Sequence, residues 1–537
     1  MPSPTRRAVV AAAPVDPLKE TTYEQIGGFV AFFILLLITK TFFLQLYEIP
    51  TGSMADTLRG EHAMTACSNC GFEFAVGPDV TPRGPLPPTF AHCVNCRTLF
   101  RNPERPPPQG VQPQEFGRLP ALPMPMRGGD RIIVHGWAYE FPFKWLDSLS
   151  PQRWDVVVFK FPTEPNTNYI KRLIGLPGET IEMIDGDIFA DGRIARKPQY
   201  AQHSLWMPAY LQDHRPKKPG LGDPGYQPRF VPQDESSGWS DLATRVLRFG
   251  GADRGRGTIR FVTAPGSDSA PGDIRDFYGY NVRPGLPGSS MEPANIVSDV
   301  RVGADVTLEG GDGYLELRVA KRSDSFAARL YADGRVTLLH AGPGGGPPLL
   351  RGETQIGAKL HGRRFALGVA DYRAIVEIDD DGVISTDIDV TDEAARRLSK
   401  DKANAVVEIA AERVSAALSA VRIDRDVYYT NTTRDRPRPG NGPPGNANEG
   451  HPFRIPADAC FVLGDNSPNS RDARYWGPDD VGPHLADSFA AGGYVYGTVP
   501  IDQLLGRAFF VYWPGSSGPG FGGFRLLPDT GRVRWIH

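Results

Sequence analysis

The chain has 537 residues, a net charge of −3 at pH 7 and a sequence pI near 6.4. This length allows two or three domains, and the balanced charge gives no sign of a nucleic-acid partner. The 60 glycines and 51 prolines favour β-structure with many turns and argue against a helical bundle.

The N-terminal part of the sequence predicts a membrane anchor. Residues 1–25 are expected to form a cytoplasmic tail, and the apolar residues 26–47 a transmembrane helix of roughly 33 Å. Lys40 lies near the end of this run, where its amine can reach the interface. Because Arg6, Arg7 and Lys19 precede the run, we expect a single-pass protein of the cytoplasmic membrane with its N-terminus inside.

A serine and a lysine are the candidate catalytic pair. Ser53 lies just after the apolar run, and Lys171 lies in an apolar, strand-like stretch. A serine hydroxyl needs a base to become a nucleophile, and a buried lysine that stays neutral can be that base. We therefore predict Ser53 as the nucleophile and Lys171 as the general base. The next residue, Arg172, is expected on the opposite and exposed face of the strand.

Residues 61–127 predict a small inserted module followed by a proline-rich linker. The module carries four cysteines with zinc-ribbon spacing, Cys67, Cys70, Cys93 and Cys96. Four thiolates would form a closed, structural zinc site, whereas an oxidising exterior would favour two disulfides, so both interpretations stay open. No cofactor is expected for catalysis. Cys460 is expected to be a buried, small apolar residue.

A larger insertion is predicted at residues 201–430. Its β-branched and alternating runs, with hairpin turns expected at Asp333-Gly334 and Asp381-Gly382, predict a β-sandwich. The strand rhythm resembles concanavalin-like and laminin-G jelly rolls. A linker is expected at 431–452. The remaining segments, 48–60, 128–200 and 453–537, are assigned to one catalytic core.

Four blocks of sequence occur in order behind the apolar run: residues 48–58, 129–134, 169–179 and 464–477. Together they resemble the bacterial type I signal peptidases, which are membrane-bound Ser/Lys proteases. The resemblance implies an antiparallel β catalytic core behind one transmembrane helix. It also implies an endopeptidase that removes N-terminal signal peptides from secretory preproteins after an Ala-x-Ala-like site. Because the four blocks lie outside residues 201–430, we expect that insertion to lie apart from the dyad.

The same resemblance assigns supporting roles. The Thr51 hydroxyl and the Ser53 backbone N–H would donate to the oxyanion, and Ser470 would hydrogen-bond the lysine. Asp472 and Arg474 would form a structural ion pair, and Asp465 would hold its loop. The substrate would add as a β-strand, with its side chains against five residues: Ile49, Pro50, Tyr169, Ile170 and Val462. The chain departs from the family pattern at Ser467-Pro468 and Ala473, which puts local stability more in doubt than the chemistry.

Two other interpretations of the sequence fit it less well. A self-cleaving repressor relative shares the Ser/Lys dyad, but the chain lacks a DNA-binding motif and has the apolar run. An envelope protein that binds glycan or protein on an inactive signal-peptidase scaffold would show a damaged dyad, yet Ser53, Lys171 and Ser470 are all present.

Overall fold

The computed structural model describes residues 22–38, 44–136, 139, 150–162, 164–217, 228–234, 237–251, 253–263, 273–281, 295–344, 346–357, 359–400, 405–429, 445–521 and 524–536. These residues are mainly β, which confirms the predicted class. The α-helices are α1 (Thr22–Ile38), α2 (Pro113–Arg118), α3 (Gln199–Leu205), α4 (Asp392–Ser399) and α5 (Ala486–Ala490). Short 3₁₀ turns lie at Gly52–Met54, Gly279–Asn281, Ser467–Asn469, Pro478–Asp480, Pro483–Leu485, Ile501–Gln503 and Thr530–Arg532.

Helix α1 is shorter than the membrane span predicted at residues 26–47. Its described part has 17 residues, and no helix in the described part of the chain is long and apolar enough to cross a membrane. Residues 44–48 instead form strand β1 (Leu44–Glu48), which pairs with residues 131–135. The predicted helix end was therefore wrong, because the backbone groups of β1 are satisfied by a partner strand that is distant in sequence. Lys40 and residues 1–21 of the predicted tail lie outside the described residues.

The module after the turn Gly52–Met54 is built from short hairpins. Its strands are β2 (His62–Ala66), β3 (Glu73–Val76), β4 (Asp79–Thr81), β5 (Gly84–Leu86), β6 (Phe90–His92), β7 (Leu99–Arg101) and β8 (Met126–Arg127). The predicted proline-rich linker is partly structured, since it contains α2 and β8. Phe116, Leu122 and Met124 of that stretch are buried. Burial of these apolar side chains holds the stretch against the module in spite of its prolines.

The segment before the large insertion contributes six strands. They are β9 (Arg131–His135), β10 (Val156–Lys160), β11 (Asn168–Gly175), β12 (Thr180–Ile184), β13 (Asp187–Ala190) and β14 (Arg193–Ile194). The insertion itself contains β15 (Met207–Leu211), β16 (Phe230–Pro232), β17 (Trp239–Ser240), β18 (Leu247–Phe249), β19 (Gly257–Phe261), β20 (Val300–Lys321), β21 (Asp324–Tyr331), β22 (Arg335–Ala341), β23 (Leu349–Gln355), β24 (Arg363–Ala370), β25 (Arg373–Ile378), β26 (Asp381–Asp387) and β27 (Val406–Arg425).

Strands from three separated segments meet in one antiparallel sheet. The C-terminal strands are β28 (Phe453–Arg454), β29 (Ala459–Leu463), β30 (Val499–Pro500), β31 (Leu504–Trp513), β32 (Ser517–Phe521), β33 (Phe524–Leu527) and β34 (Arg534–Trp535). The sheet has the order β1-β9-β31-β10-β11-β29-β30, with β34 beside β31. A smaller sheet, β14-β13-β12-β28, also combines residues from both sides of the insertion.

Two long strands organise the large insertion. The first half of β20 lies between β24 and the second half of β27, and the second half of β20 lies between β21 and the first half of β27. Buried residues from both halves and from the outer strands share one hydrophobic core. The described strands of the insertion form one 13-stranded sheet. The β-sandwich, and its likeness to concanavalin or laminin-G folds, stays a prediction.

One hairpin turn differs from its predicted position. Ile378 pairs with Asp381, so the turn residues are Asp379 and Asp380, not Asp381-Gly382. Both turn residues have positive φ, 52° and 69°, a conformation that aspartate tolerates better than most residues.

Buried ion pairs join the insertion to the rest of the chain. Lys321 at the end of β20 bonds to Asp187 at 3.0 Å and also to Asp299. Lys197 bonds to Asp371 at 2.6 Å and to Asp426 at 2.8 Å. Since buried charges are tolerated only when paired, these contacts fix how the insertion lies against residues 180–200.

Candidate active site

Ser53 and Lys171 lie within hydrogen-bonding distance of each other. Ser53 is in the 3₁₀ turn Gly52–Met54 that follows β1, and Lys171 is in β11, opposite Val157 of β10. Lys171 Nζ is 2.8 Å from Ser53 Oγ and donates to the Ile170 carbonyl at 3.0 Å. The lysine is 3% exposed, while Ser53 is partly exposed. The pair therefore has a buried amine behind an accessible hydroxyl.

The surroundings of Lys171 favour the neutral amine. Burial lowers the pKa of its ammonium from 10.5 to about 8, because the charged form loses its hydration. Asp472 and Asp465 oppose this effect with their negative charges, and Arg474 adds to it. A lysine with a pKa near 8 can accept a proton near neutral pH.

Arg172 is buried, contrary to the expectation that it would face solvent. Its guanidinium donates to both carboxylate oxygens of Asp465 at 2.8 Å and to the Trp154 carbonyl at 2.8 Å. Strand alternation does put Arg172 on the opposite face of β11 from Lys171. That face is buried too, because Asp465 packs against it. A bidentate carboxylate partner makes burial of a permanent cation possible.

The loop at residues 464–474 packs against the turn Gly52–Met54, called the nucleophile turn after the role predicted for Ser53. Asp472 accepts from Arg474 at 2.8 and 2.7 Å and from the Gly464 N–H at 2.9 Å, and all three residues are buried. A Cβ at Gly464 would lie 2.2 Å from Ser470 Oγ and 2.5 Å from the Ser53 carbonyl oxygen. Only glycine fits there, since the loop backbone passes against the nucleophile turn.

Ser470 does not make the hydrogen bond predicted for it. The side chain is 1% exposed, and its Oγ has no hydrogen-bond partner among the described residues. The structure brings Ser470 to the site through its contact with Gly464, but the predicted bond to Lys171 is absent from the described contacts.

Of the two predicted oxyanion donors, Thr51 precedes the nucleophile turn and the Ser53 N–H lies within it. Thr51 is the exposed residue that precedes the turn, and its side chain makes no capping hydrogen bond. An exposed hydroxyl two residues before Ser53 is free to turn towards a bound carbonyl. Its role stays a prediction.

The five predicted substrate contacts are divided between two hydrophobic clusters and the exposed surface. Ile49 and Ile170 belong to one hydrophobic cluster, and Tyr169 and Val462 to another. Pro50 is exposed. Ile49 and Val462 are 3% and 0% exposed, so they act as core residues in this structure. Pro50, Tyr169 and Ile170 remain accessible beside the dyad.

The four predicted metal ligands are brought together. The sulfur atoms of Cys67, Cys70, Cys93 and Cys96 all lie within 4.8 Å of one another, and all four residues are buried. Cys460 is buried elsewhere, at 1% exposure, as predicted.

Sequence reasoning missed two residues that contact the nucleophile turn, and a third that bonds to one of them. The Asn466 side chain donates to the Gly52 carbonyl at 2.8 Å, and its backbone N–H donates to the Ser53 carbonyl at 3.1 Å. Asn281 bonds to the Asn466 amide, and Tyr280 packs on Gly52. Asn281 and Tyr280 belong to the large insertion, which was expected to lie apart from the dyad. That expectation was wrong, and no local pattern in the sequence indicated the contact.

Comparisons with known proteins agree with three of the four sequence blocks, those at residues 129–134, 169–179 and 464–477. Residues 124–221 and 390–513 match the family described as signal peptidase, peptidase S26. The signal peptidase I of Pseudomonas aeruginosa is 39% identical over 82 residues, which cover 13% of this chain and 29% of that protein. The signal peptidase I of Rickettsia bellii is 50% identical over 48 residues, which cover 9% of this chain and 17% of that protein.

The chain thus spans less than a third of the length of these relatives. Among solved structures, the carbohydrate-binding module CBM66 from Bacillus subtilis matches 36% of this chain and 95% of its own chain. Its identity of 13% and TM-score of 0.23 are too low to support an argument. The family match and the two bacterial relatives, together with the mainly β fold, support a type I signal peptidase.

Proposed function

We propose that this protein is a serine endopeptidase that removes N-terminal signal peptides from secretory preproteins, with Ser53 as nucleophile and Lys171 as general base. The observation that carries the proposal is the 2.8 Å separation of Lys171 Nζ and Ser53 Oγ, with the amine 3% exposed. A nucleophile and a base within hydrogen-bonding reach, and a base with a lowered pKa, are the two requirements of this chemistry.

The proposed reaction is acyl transfer. The neutral Lys171 amine takes the Ser53 proton while Oγ attacks the carbonyl carbon of the scissile peptide bond. The resulting oxyanion accepts hydrogen bonds from the Ser53 N–H and the Thr51 hydroxyl. The C–N bond then breaks, and the Lys171 ammonium returns its proton to the leaving amine. Lys171 next takes a proton from a water molecule, whose oxygen attacks the carbonyl carbon of the acyl-enzyme. The bond from that carbon to Ser53 Oγ then breaks, which releases the signal peptide, and the Lys171 ammonium returns the proton to Ser53.

The strand pairing around Lys171 supports binding of the substrate as an added strand. On one side, β11 pairs with β10 over Asn168–Arg172. On the other side, β29 pairs only with Arg172–Gly175, so no described strand covers that edge of residues 168–171. An extended peptide can hydrogen-bond along such an edge, beside Tyr169 and Ile170. We propose an Ala-x-Ala-like preference from the resemblance of the sequence blocks alone.

We also propose that the protein acts at the cytoplasmic membrane, with its catalytic sheet outside the cytoplasm. Support comes from α1, whose large apolar side chains are unusually exposed, including Phe29 at 66% and Leu35 at 63%. A row of such residues is stable in contact with lipid and costly in water. Flotation of the full chain with liposomes, compared with a chain that begins after α1, tests this part. If both versions remain with the soluble fraction, the membrane assignment fails.

The central experiment is cleavage of a purified precursor that ends its signal peptide in Ala-x-Ala. Ser53→Ala and Lys171→Arg should both abolish turnover. The arginine variant keeps a positive charge, but a guanidinium cannot act as a base near neutral pH. Matched controls are Ser240→Ala and Lys160→Arg, which alter exposed residues on other strands and should cleave normally. Appreciable turnover by a folded Lys171→Arg protein would refute the dyad.

A further inference from the structure

The four cysteines of the small module occupy two turns of the same construction. Cys67 and Cys70 lie in the turn between β2 and β3, and Cys93 and Cys96 in the turn between β6 and β7. In the first turn the Gly71 N–H donates to the Cys67 carbonyl at 2.7 Å, and in the second the Arg97 N–H donates to the Cys93 carbonyl at 3.0 Å.

The residues after each pair, Gly71 and Arg97, both have positive φ, 78° and 59°. A non-glycine residue in this conformation is uncommon, and here it repeats the shape of the first turn. The Cys70 N–H also points at Cys67 Sγ, with 3.4 Å between the nitrogen and the sulfur. Two equivalent turns therefore present their sulfur atoms to a common centre.

The sulfur separations match a tetrahedral ion and not two disulfides. Cys67 Sγ is 3.5 Å from Cys96 Sγ, and Cys70 Sγ is 3.6 Å from Cys93 Sγ. A disulfide requires about 2.05 Å. Four thiolates at about 2.3 Å from one Zn²⁺ lie about 3.8 Å apart, close to the separations found here. We propose that Cys67, Cys70, Cys93 and Cys96 bind one Zn²⁺ ion in a closed, structural site.

The metal would fix the turns that hold other parts of the chain. Asn69 and Asn95 are the inner residues of the two turns. Asn95 binds the Leu211 N–H at 2.8 Å and the His214 carbonyl at 2.6 Å, and the Asn69 carbonyl accepts from the Lys217 N–H at 2.9 Å. The two turns thus hold the start of the large insertion. With four protein ligands the ion has no open position, so its role is structural.

Metal content of the purified, tag-free protein tests the site. We expect about one zinc per chain in the wild type and in Cys460→Ser, a control that removes a buried thiol elsewhere. Cys67→Ser should hold at least tenfold less zinc. Independently of any variant, exchange of the wild type into Co²⁺ should give the absorption of tetrahedral cobalt thiolate. The proposal would be overturned if the wild-type protein contained no zinc and its mass were lower by the four hydrogens that two disulfides remove. Iron bound in place of zinc would also overturn it.

A second inference concerns the nucleophile turn and rests on the proposed function. Asn281 and Asn466 form a reciprocal amide pair, at 2.5 Å in one direction and 2.8 Å in the other. Asn466 uses its remaining amide hydrogen for the Gly52 carbonyl, 2.8 Å away. Asn466 is fully buried, so its orientation depends on the partner that Asn281 supplies. The insertion thereby fixes the group that holds the nucleophile turn.

Tyr280 holds the same turn from its other side. A Cβ at Gly52 would lie 2.2 Å from the Tyr280 ring, so the ring contacts the bare backbone there. The Tyr280 hydroxyl donates to the Glu61 carbonyl at 3.2 Å, and the Tyr280 carbonyl accepts from the Gly77 N–H at 2.8 Å. We infer that Tyr280 and Asn281 are positioning residues that keep Ser53 Oγ in reach of Lys171 Nζ.

Replacing Asn281 tests this inference. Asn281→Ala should lower kcat by about ten- to a hundredfold with KM nearly unchanged, because a misplaced nucleophile costs rate more than binding. Asn166→Ala, which alters an exposed asparagine, is the matched control. Tyr280→Phe keeps the ring on Gly52 and should remain active, whereas Tyr280→Ala should not. A kcat for Asn281→Ala within twofold of the wild type would overturn the inference.

Hydrogen exchange separates this inference from the proposed function. Backbone amides of residues 49–58 should exchange faster in Asn281→Ala than in the wild type and Asn166→Ala. The proposed function fails if the wild type and Ser53→Ala are equally inert towards a precursor. The positioning contact still stands in that case, provided that these amides exchange faster in Asn281→Ala than in the wild type. If the exchange is unchanged, the positioning contact is refuted whatever the activity.

Discussion

The pH dependence of cleavage follows from the burial of Lys171. With a pKa of about 8, the amine is neutral in about one molecule in ten at pH 7 and in about half at pH 8. Only the neutral form can take the Ser53 proton. We therefore expect kcat/KM to rise roughly tenfold from pH 6 to pH 7 and to level off above about pH 9.

The same shift predicts a change in stability. The native pKa lies below the unfolded value of 10.5, so between about pH 8 and pH 10.5 the unfolded state binds more protons. The free energy of unfolding should rise with pH across this window. Below pH 8 both states are protonated, and the cost of burying the charge is fully present, at about 3 kcal/mol.

Replacing Lys171 by methionine removes this cost. Lys171→Met should be inactive, but at pH 7 it should resist denaturant better than the wild type by about 3 kcal/mol. The difference should shrink as pH rises from 8 to 10.5. Lys160→Met, at an exposed position, should show neither effect. A rate profile that is flat between pH 6 and pH 9, or one with its midpoint near 10.5, would refute the argument from burial.

Three further substitutions test the residues around the dyad. Thr51→Val should lower kcat by about 10² to 10³ with a similar KM, measured by steady-state cleavage, since it removes one oxyanion donor. Ser470→Ala should reduce cleavage less than Ser53→Ala. It should also cost no stability in thermal unfolding, because the buried hydroxyl has no partner among the described residues. Arg172→Met should destabilise the fold by about 3–5 kcal/mol in denaturant titration, because it leaves the Asp465 carboxylate buried and unpaired.

The sequence indicated the chemical groups of the site, because their order and spacing are local properties. Ser53 after an apolar run, Lys171 in an apolar stretch and the paired cysteines could all be read from neighbouring residues. The mainly β class followed in the same way from glycine, proline and alternating runs. Burial of Lys171 was also predictable, since a lysine can act as a base near neutral pH only where the charged form is disfavoured.

Other features depended on contacts between residues far apart in the chain. The apolar run was read as one helix to residue 47, but β1 forms because residues 131–135 offer a pairing edge. Strand alternation correctly gave Arg172 the opposite face from Lys171, but it could not show that Asp465, 293 residues away, buries that face.

The link between the insertion and the nucleophile was decided by tertiary structure alone. Asn281 is 185 residues from Asn466 in sequence, and neither residue carries a local signal of the pairing. Their amides pair because a buried amide must satisfy its donors and acceptor with whatever group the fold brings near. The sequence by itself therefore determined which residues carry the chemical groups of the proposed reaction. The packing of distant segments decided which residues hold them in place.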